Sequence, residues 1–379
     1  KKSLRSSIFL LISFFVLSSS FFSKAIGQNW NSFRGPQSSG VFDNANLPDS
    51  WNVKTGENVQ WKTDIPGLGQ SSPVIWGDKL FVTTAVSQED DAGFKPGLYG
   101  DIKPVDDSSE HEWKVYCLDT KTGDILWERV SHTGIPKQKR HPMSTHASAT
   151  MATDGDFAVA FFGSEGLYCY DMEGELQWKK DYGVLRSVFY MSETAEWEWA
   201  SSPIIHDGVV LIQVDVMDQS FVAALNVQTG EELWRTDRDE DPTWCTPNVY
   251  KDNGKTRVVL NGYKHRGAYD FKTGEEVWKM SGGGDIPIPV PIVLEDMIYF
   301  NSAHGRMAPI FAVKTSAKGD LTLGEGETTN EYISWSHARE GSYMSSLLVY
   351  NDLLYVGRWS GAFSCFDVKT GERYYKETL

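Results

Sequence analysis

The sequence predicts an all-β fold, a β-propeller of four-stranded antiparallel blades. The first observation is a hairpin signature, Ala-x-Asp-x-x-Thr-Gly-x-x-x-Trp, which is clearest over residues 268–278 and recurs along the chain. The second is a strand–turn–strand element that comes before each hairpin. Short strands separated by turn signals at a regular period are typical of propellers. A two-sheet sandwich is the alternative, but it gives no reason for repeated copies of one unit.

The hairpin signature follows from local chemistry. Tyr269 and Phe271 suit a pleated strand, and Trp278 belongs to the strand that follows the turn. Gly274 supplies the positive φ that a tight turn needs. The carboxylate of Asp270 can accept hydrogen bonds from the amides of the turn. The stretch therefore predicts two strands joined by a structural turn.

Six units of strands A to D are visible. Copies of the C–D hairpin lie at 117–127, 169–178, 224–234, 268–278 and 365–375, with a degenerate copy from 312 to 335. The A–B elements start at Ser71, Ala147, Ser201, Cys245, Pro289 and Met344. One further D strand, residues 58–62, precedes the first strand A, and we expect it to close the ring by pairing with the last unit. Because the chain stops at Leu379, we expect the domain to be incomplete at its C-terminus.

The aromatic residue near the end of each D strand is predicted to dock between units. These blade marks are Trp61, Trp127, Trp178, Trp234, Trp278 and Trp335. We expect each to pack over a small residue of a neighbouring unit, at the repeat position held by Ala224, Ala268, Ala312, Cys117, Cys169 and Cys365. Three of the four cysteines thus occupy one repeat position, which predicts buried apolar residues instead of disulfide partners.

The first 27 residues are predicted to be a secretory signal peptide. Lys1, Lys2 and Arg5 precede a short apolar run from Ile8 to Leu17, and Ala25-Ile26-Gly27 fits a small-x-small cleavage site. The run is too short to span a membrane, so residues 28–379 would form one exported domain, periplasmic or extracellular, with no membrane insertion after cleavage. A net charge of -15 disfavours nucleic acid as a partner. We expect a monomer.

The repeat resembles the tryptophan-docking motif of PQQ-repeat propellers, a group that includes quinoprotein dehydrogenases and BamB-like proteins. Residues 224–234 and 268–278 match it almost fully, and 30–37, 162–171 and 324–335 resemble secreted bacterial PQQ-binding-like repeat proteins. The resemblance covers the mature chain and implies eight blades. It also implies PQQ with calcium as a cofactor for enzymes of the group. This sequence has no adjacent cysteine pair, and no catalytic Asp or calcium ligands can be mapped onto it, so we expect no catalytic residues and no metal ligands.

Propeller topology places the D–A and B–C loops on one end of the molecule, where basic and aromatic residues gather. Such a set suits a protein partner or a small anionic or planar ligand. The candidate binding residues are His146, Arg186, Trp197, Trp199, Trp244, His265, Arg266, His304, Arg306, Arg358 and Trp359. Packing of Trp197 or Trp199 within the fold is the simpler alternative for those two residues. The spacing of His141 and His146 matches no recognisable metal motif.

Three functions follow as hypotheses. The first is an exported, non-catalytic propeller that binds a partner or ligand on the D–A and B–C loops. The second is a PQQ-dependent oxidoreductase that lacks the cysteine pair. The third is a propeller that binds or cleaves polysaccharides, suggested by its tryptophans and acids.

Overall fold

The computed structural model describes residues 29–43, 45–89, 93–95 and 103–379, so the predicted signal peptide lies outside the described residues. It contains six blades, each an antiparallel sheet of strands A to D, and the sheet of blade 4 gains a fifth strand; this arrangement confirms the propeller architecture. Blade 1 comprises β1 (Val74–Trp76), β2 (Lys79–Ser87), β3 (His111–Asp119) and β4 (Ile125–Gly134). Blade 2 comprises β5 (Ala152–Thr153), β6 (Phe157–Phe161), β7 (Leu167–Asp171) and β8 (Leu176–Lys180). Blade 3 comprises β11 (Ile204–His206), β12 (Val209–Val214), β13 (Ser220–Asn226) and β14 (Glu232–Arg238).

Blades 4 to 6 continue the same order and are joined by accessory elements. Blade 4 comprises β15 (Asn248–Asp252), β16 (Lys255–Leu260), β17 (Arg266–Asp270) and β18 (Glu276–Met280). Blade 5 comprises β19 (Ile292–Leu294), β20 (Met297–Asn301), β21 (Ile310–Lys314) and β23 (Ile333–His337). Blade 6 comprises β24 (Leu348–Tyr350), β25 (Leu353–Gly357), β26 (Ala362–Asp367) and β27 (Arg373–Thr378). The accessory elements are the hairpin β9 (Val188–Phe189) and β10 (Ser192–Glu196), the strand β22 (Gly319–Asp320), and two 3-10 turns, Pro36–Ser38 and Gly163–Glu165. The count of eight blades stays a prediction.

The C–D turns have the predicted chemistry. In blade 4, Oδ1 of Asp270 accepts hydrogen bonds from the amides of Lys272 and Thr273, at 2.9 and 3.2 Å. Gly274 has a φ of 73°. Asp119, Asn226 and Asp367 cap the equivalent turns in the same way. The turn is therefore encoded by four or five residues in each of these four units.

The docking tryptophans contact a different residue from the one predicted. The small residue pairs with the Trp of its own sheet, as Ala224 does with Trp234. The neighbour contributes its turn instead: Nε1 of Trp234 donates to the carbonyl oxygen of Phe271 at 2.9 Å, and a Cβ added to Gly274 would lie 2.5 Å from the indole. Trp61, Trp127, Trp178 and Trp335 dock on the next turn in the same way.

Trp278 is the exception among the blade marks. The β21–β23 connection of blade 5 is long and lacks a tight turn glycine at the docking position. Its strand β22 runs parallel to β18 instead, with Gly319 opposite Trp278. Nε1 of Trp278 donates to the hydroxyl of Tyr250 at 3.0 Å. The insertion thus covers this indole in place of the usual turn.

The packing bears on two further predictions, and pairing of residues 58–62 with the last unit stays a prediction. Cys117, Cys169, Cys245 and Cys365 are all buried free thiols, which confirms that the repeat-position cysteines are packing residues. Trp61 docks on the turn of blade 1, as a D-strand residue of a preceding blade would. Residues 58–62 themselves form no strand within the described chain, because a strand needs a hydrogen-bonded neighbour.

Residues 29–43 run along the inner strands of the blades. Trp30 and Ile75 of β1 exchange backbone hydrogen bonds at 2.9 and 2.7 Å. On the opposite side, Nη2 of Arg34 donates to the carbonyl oxygen of Leu347, just before β24, at 2.8 Å. Further contacts reach β15 and β19. Because all of these are strands A, strand A is innermost and this segment fills the space that the blades surround.

The described residues include no helix of the length and apolarity that a membrane crossing requires.

We predict that docking makes Gly230 far less replaceable than Gly208. Both residues of blade 3 have positive φ, 69° and 74°, so alanine is strained at either position and costs about 1–3 kcal/mol. At Gly230 the new methyl would also lie 2.6 Å from Trp178, whereas nothing lies within 4 Å at Gly208. Overpacking adds about 1–3 kcal/mol. Urea denaturation should show a larger loss for G230A than for G208A; equal losses would contradict the docking role.

Candidate functional site

The D–A and B–C loops carry an aromatic cluster over the inner strands; we call this end of the molecule the loop face. The hairpin β9–β10, inserted between blades 2 and 3, supplies its centre. The ring of Phe189 stacks on Trp197 with centroids 5.5 Å apart and planes 8° apart, and Trp197 lies 5.3 Å from Trp244. Phe189 also meets His304 of blade 5 edge-on at 5.7 Å. The hairpin therefore reaches from blade 2 to blade 5.

Polar contacts tie the cluster to further loops. Nδ1 of His304 lies 2.5 Å from Oδ1 of Asp285, and its ring packs 5.3 Å from Tyr343. The hydroxyls of Tyr190 and Tyr263 are 2.9 Å apart. Burial, followed by that contact with Tyr263, raises the pKa of Tyr190, so the phenol stays neutral at physiological pH. Loops of blades 2 to 6 thus meet at one place.

An exposed apolar patch adjoins the aromatic cluster. Its side chains and their exposed fractions are Met191, 65%; Met307, 40%; Met344, 48%; and Trp359, 68%. The contacts of His304 with Phe189 and Tyr343 join the first three loops. Arg358 links the Trp359 loop to its neighbour through Glu340, 3.0 Å away. We call these four residues the apolar patch.

The predicted site residues separate into several environments. Trp197, Trp244 and His304 are brought together in the aromatic cluster, with Arg306 and Trp359 exposed near it. Trp199 is buried against Phe161 and covers Gly163, so it packs within the fold. Arg186 and His265 are half-buried on separate loops, and burial lowers the pKa of His265.

Arg266 has no exposed surface with which to meet a ligand. It is fully buried beside the ring of Phe311, and its Nη2 donates to Oγ of Ser302 at 2.8 Å. Burial away from any paired carboxylate lowers its pKa to about 10. The residue alternates with Ala268 on the core face of β17, which is the signal that could have placed it there.

His146 belongs to a second cluster, between blades 1 and 2, that the sequence did not reveal. It lies with Asp107 and His111, and one ligand atom from each falls within 4.8 Å of the others. Nδ1 of His146 is 2.7 Å from Oε2 of Glu198. Burial lowers the pKa of His146, but Asp107 and Glu198 outweigh this and raise it to about 9. Arg140 also approaches Asp107, at 3.4 Å.

A cavity of about 270 Å³ opens beside blade 3 on the loop face. Its lining includes Asp218, Asp237, Asp239, Glu240 and Asp241, together with Arg238 and Lys264. This excess of carboxylates disfavours an anionic ligand.

Six antiparallel blades, five of which carry a D-strand tryptophan, bear their unusual side chains on one loop face and define a repeat-built β-propeller. Comparison with known proteins places the chain further. The profile of the family described as "Outer membrane protein assembly factor BamB" matches residues 50–216 and 218–318, and the chain belongs to this family of PQQ-like repeat proteins.

Individual relatives are distant. The chain is 22% identical to an outer membrane protein assembly factor BamB of Burkholderia pseudomallei, over 82% of this chain and 71% of that protein. It is 37% identical to methanol dehydrogenase subunit 1 of Methylorubrum extorquens, but over only 17% of this chain and 11% of the enzyme. The crystal structure of BamB from Moraxella catarrhalis aligns with a TM-score of 0.47 at 14% identity, over 83% of this chain and 87% of that one.

The described residues do not fit the PQQ and calcium of the family's enzymes. Calcium takes six to eight oxygen ligands, whereas the Asp107 cluster offers two imidazole nitrogens. Arg266 is engaged with Ser302, and Arg358 is paired with Glu340. The aromatic cluster is packed with the protein's own rings, and the nearby cavity is acidic. No step is therefore derived through this cofactor.

Proposed function

We propose that this protein is an exported, non-catalytic propeller that binds a protein partner through its loop face. The observation that carries the proposal is the apolar patch. Four large apolar side chains are exposed on loops that are held to one another by ring contacts and an ion pair. Large apolar side chains exposed on neighbouring loops are typical of interaction sites.

The chemistry of the patch suits a polypeptide more than a small molecule. Methionine side chains adapt to irregular apolar surfaces, and an exposed tryptophan is a typical interface anchor. Arg306 and Arg339 are exposed on the same loops, in a chain whose net charge is -15. A partner segment with apolar residues flanked by acidic ones would complement this surface.

The family supports an envelope location for that partner. The Burkholderia relative is named as a factor in outer membrane protein assembly. The N-terminal apolar run of this chain is consistent with export. We therefore infer a periplasmic or extracellular binding scaffold.

We predict that cross-links to a partner form from the loop face only. A photo-reactive amino acid would be placed at Met344 on the loop face, or at Lys121 or Lys272 on the C–D turns, and irradiated in cells of the source organism. A discrete cross-linked product should appear from Met344, and W359A or M307A should reduce its yield several-fold without changing the melting temperature. Equal products from both faces would contradict the proposal.

A simpler assay distinguishes the proposed binding scaffold from the quinoprotein hypothesis. Purified protein would be titrated with PQQ and Ca²⁺ while its tryptophan fluorescence is followed. We expect no saturable quenching, and R306A should behave as the unmodified chain does. Saturable quenching that R306A abolishes would favour the oxidoreductase, whereas saturable binding of glycans without a response to PQQ would favour the polysaccharide hypothesis.

A further inference from the structure

We propose that Asp107, His111 and His146 bind a first-row divalent transition-metal ion, best represented by Zn²⁺. The three residues come from different parts of the loop face. Asp107 lies on the B–C loop of blade 1, His111 begins β3, and His146 lies on the loop that connects blades 1 and 2. The site is separate from the apolar patch and does not depend on the proposed function.

The distances fit coordination better than hydrogen bonding. Nε2 of His111 is 3.5 Å, and Nε2 of His146 is 3.6 Å, from Oδ2 of Asp107. Both separations exceed a good N–H···O bond. Zinc bonds of about 2.0–2.1 Å place two ligand atoms of a tetrahedron roughly 3.4 Å apart. One ion can therefore bridge Asp107 and either imidazole with little rearrangement, and one ligand atom from each of the three residues lies within 4.8 Å of the others.

In both imidazoles, the Nδ1 atom faces a hydrogen-bond acceptor, as is usual for histidines that bind a metal through Nε2. Nδ1 of His146 faces the carboxylate of Glu198 at 2.7 Å, and Nδ1 of His111 faces the carbonyl oxygen of Ser109 at 3.0 Å. When the imidazoles are neutral, an N–H at each Nδ1 leaves the lone pair of Nε2 directed toward Asp107. Such outer partners fix the tautomer and the ring plane of ligating histidines.

His146 supplies an independent sign that a ligand belongs here. Its side chain is only 2% exposed, and its buried Nε2 has no hydrogen-bond partner within the described structure. A buried polar atom left in this state costs free energy. A metal ion bound by Nε2 would satisfy it.

The donor set and nearby charge define the kind of ion. Two imidazole nitrogens and one carboxylate favour zinc and related transition metals over calcium or magnesium. The guanidinium of Arg140, 3.4 Å from Oδ2 of Asp107, repels any cation and so further disfavours ions that bind only through charge. Three protein ligands also leave a fourth position for water.

The bound ion would order the loops that carry the aromatic cluster. Glu198 accepts from His146 through its side chain, while its backbone carbonyl accepts a bond from Nε1 of Trp244 at 2.8 Å. The same residue therefore lies against both the metal ligand and the aromatic cluster. Metal binding would therefore also position the loop that carries Glu198.

The test uses untagged, chelator-treated protein titrated with Co²⁺ and then with Zn²⁺. Co²⁺ should develop the visible absorption of a low-symmetry nitrogen–oxygen site at about one equivalent, and Zn²⁺ should abolish it, whereas excess Ca²⁺ should not. H146Q and H111Q should weaken binding at least about 100-fold, and E198Q about 10- to 100-fold, as loss of an outer partner does. Near-ultraviolet circular dichroism would confirm that each variant is folded.

The control is H132Q. His132 packs against Trp113 at 5.2 Å, as the ring of His111 does at 5.8 Å, but it lies outside the cluster. The H132Q variant should bind Co²⁺ as the unmodified chain does. D107N, which alters a partly accessible ligand, should lose binding while remaining folded. The proposal is overturned if the unmodified chain takes up no Co²⁺, or if uptake survives in folded H111Q, H146Q and D107N alike.

Discussion

Replacing Trp278 with alanine should lower the free energy of unfolding by about 3–5 kcal/mol, the usual cost of truncating a buried aromatic side chain. Trp278 is 1% exposed and lies at the junction of blades 4 and 5. Its ring meets Phe300 edge-on at 5.9 Å, and its Nε1 donates to Tyr250. The substitution would remove the indole and leave the Tyr250 hydroxyl without its donor. Urea denaturation monitored by far-ultraviolet circular dichroism measures the loss.

Tyr375 provides a matched control, because it holds the same repeat position in blade 6. It pairs with Cys365 as Trp278 pairs with Ala268, yet it is 39% exposed on β27. Y375A should therefore cost clearly less than W278A, since a larger part of the Tyr375 side chain already contacts water. If W278A and Y375A cost the same, burial between blades is not what the D-strand aromatic contributes.

The sequence was sufficient for the fold because each hairpin is encoded locally. Asp270, Gly274 and Trp278 lie within nine residues, and the same chemistry recurs in the other units. Docking on a neighbouring unit was predicted, but the turn glycine of that unit was not recognised as the contact. Gly274 looked like a turn residue alone, whereas the structure also uses its missing side chain to admit Trp234. A glycine with two roles shows only one of them in sequence.

The site was only partly predictable, and the reason differs among residues. Topology sufficed to put Trp197, Trp244 and His304 on one face, since D–A and B–C loops share an end. It did not predict that the inserted hairpin would carry Phe189 across to blade 5. Asp107 and His111 escaped notice because they approach His146 only through the fold, with no motif to connect them.

Removing the carboxylate of Asp215 should be as damaging as removing a core tryptophan. Oδ1 of Asp215 accepts from Nε of Arg238 at 2.8 Å, and neither side chain is exposed to solvent. Its other oxygen accepts from Thr243 at 2.7 Å and from Gln213 at 2.6 Å. Breaking a buried ion pair by removing one partner costs about 3–5 kcal/mol, because the other charge stays buried. We therefore expect D215A to destabilise the protein by that amount in urea.

Glu240 can partly compensate the positive charge that Arg238 keeps when Asp215 is removed. Its Oε2 lies 3.5 Å from Nη2 of Arg238. Burial, and then the charge of Asp215, raise the pKa of Glu240 to about 7. Loss of Asp215 would lower the pKa of Glu240. Ionised Glu240 would then neutralise more of the charge on Arg238 at pH 8 than at pH 5. D215A should consequently be less destabilising at pH 8 than at pH 5.

Two further variants test whether the cost of D215A comes from burial of the ion pair and not from loss of an ion pair as such. Arg235 and Glu232 form a 2.6 Å pair in the same blade with side chains about one-third exposed, so E232A should cost less than about 1 kcal/mol. The double variant D215A/R238M removes both buried charges and should be more stable than D215A alone. If the double variant instead loses the sum of the two single losses, Asp215 and Arg238 are not coupled. Because both side chains are fully buried and directly hydrogen-bonded, we expect strong coupling.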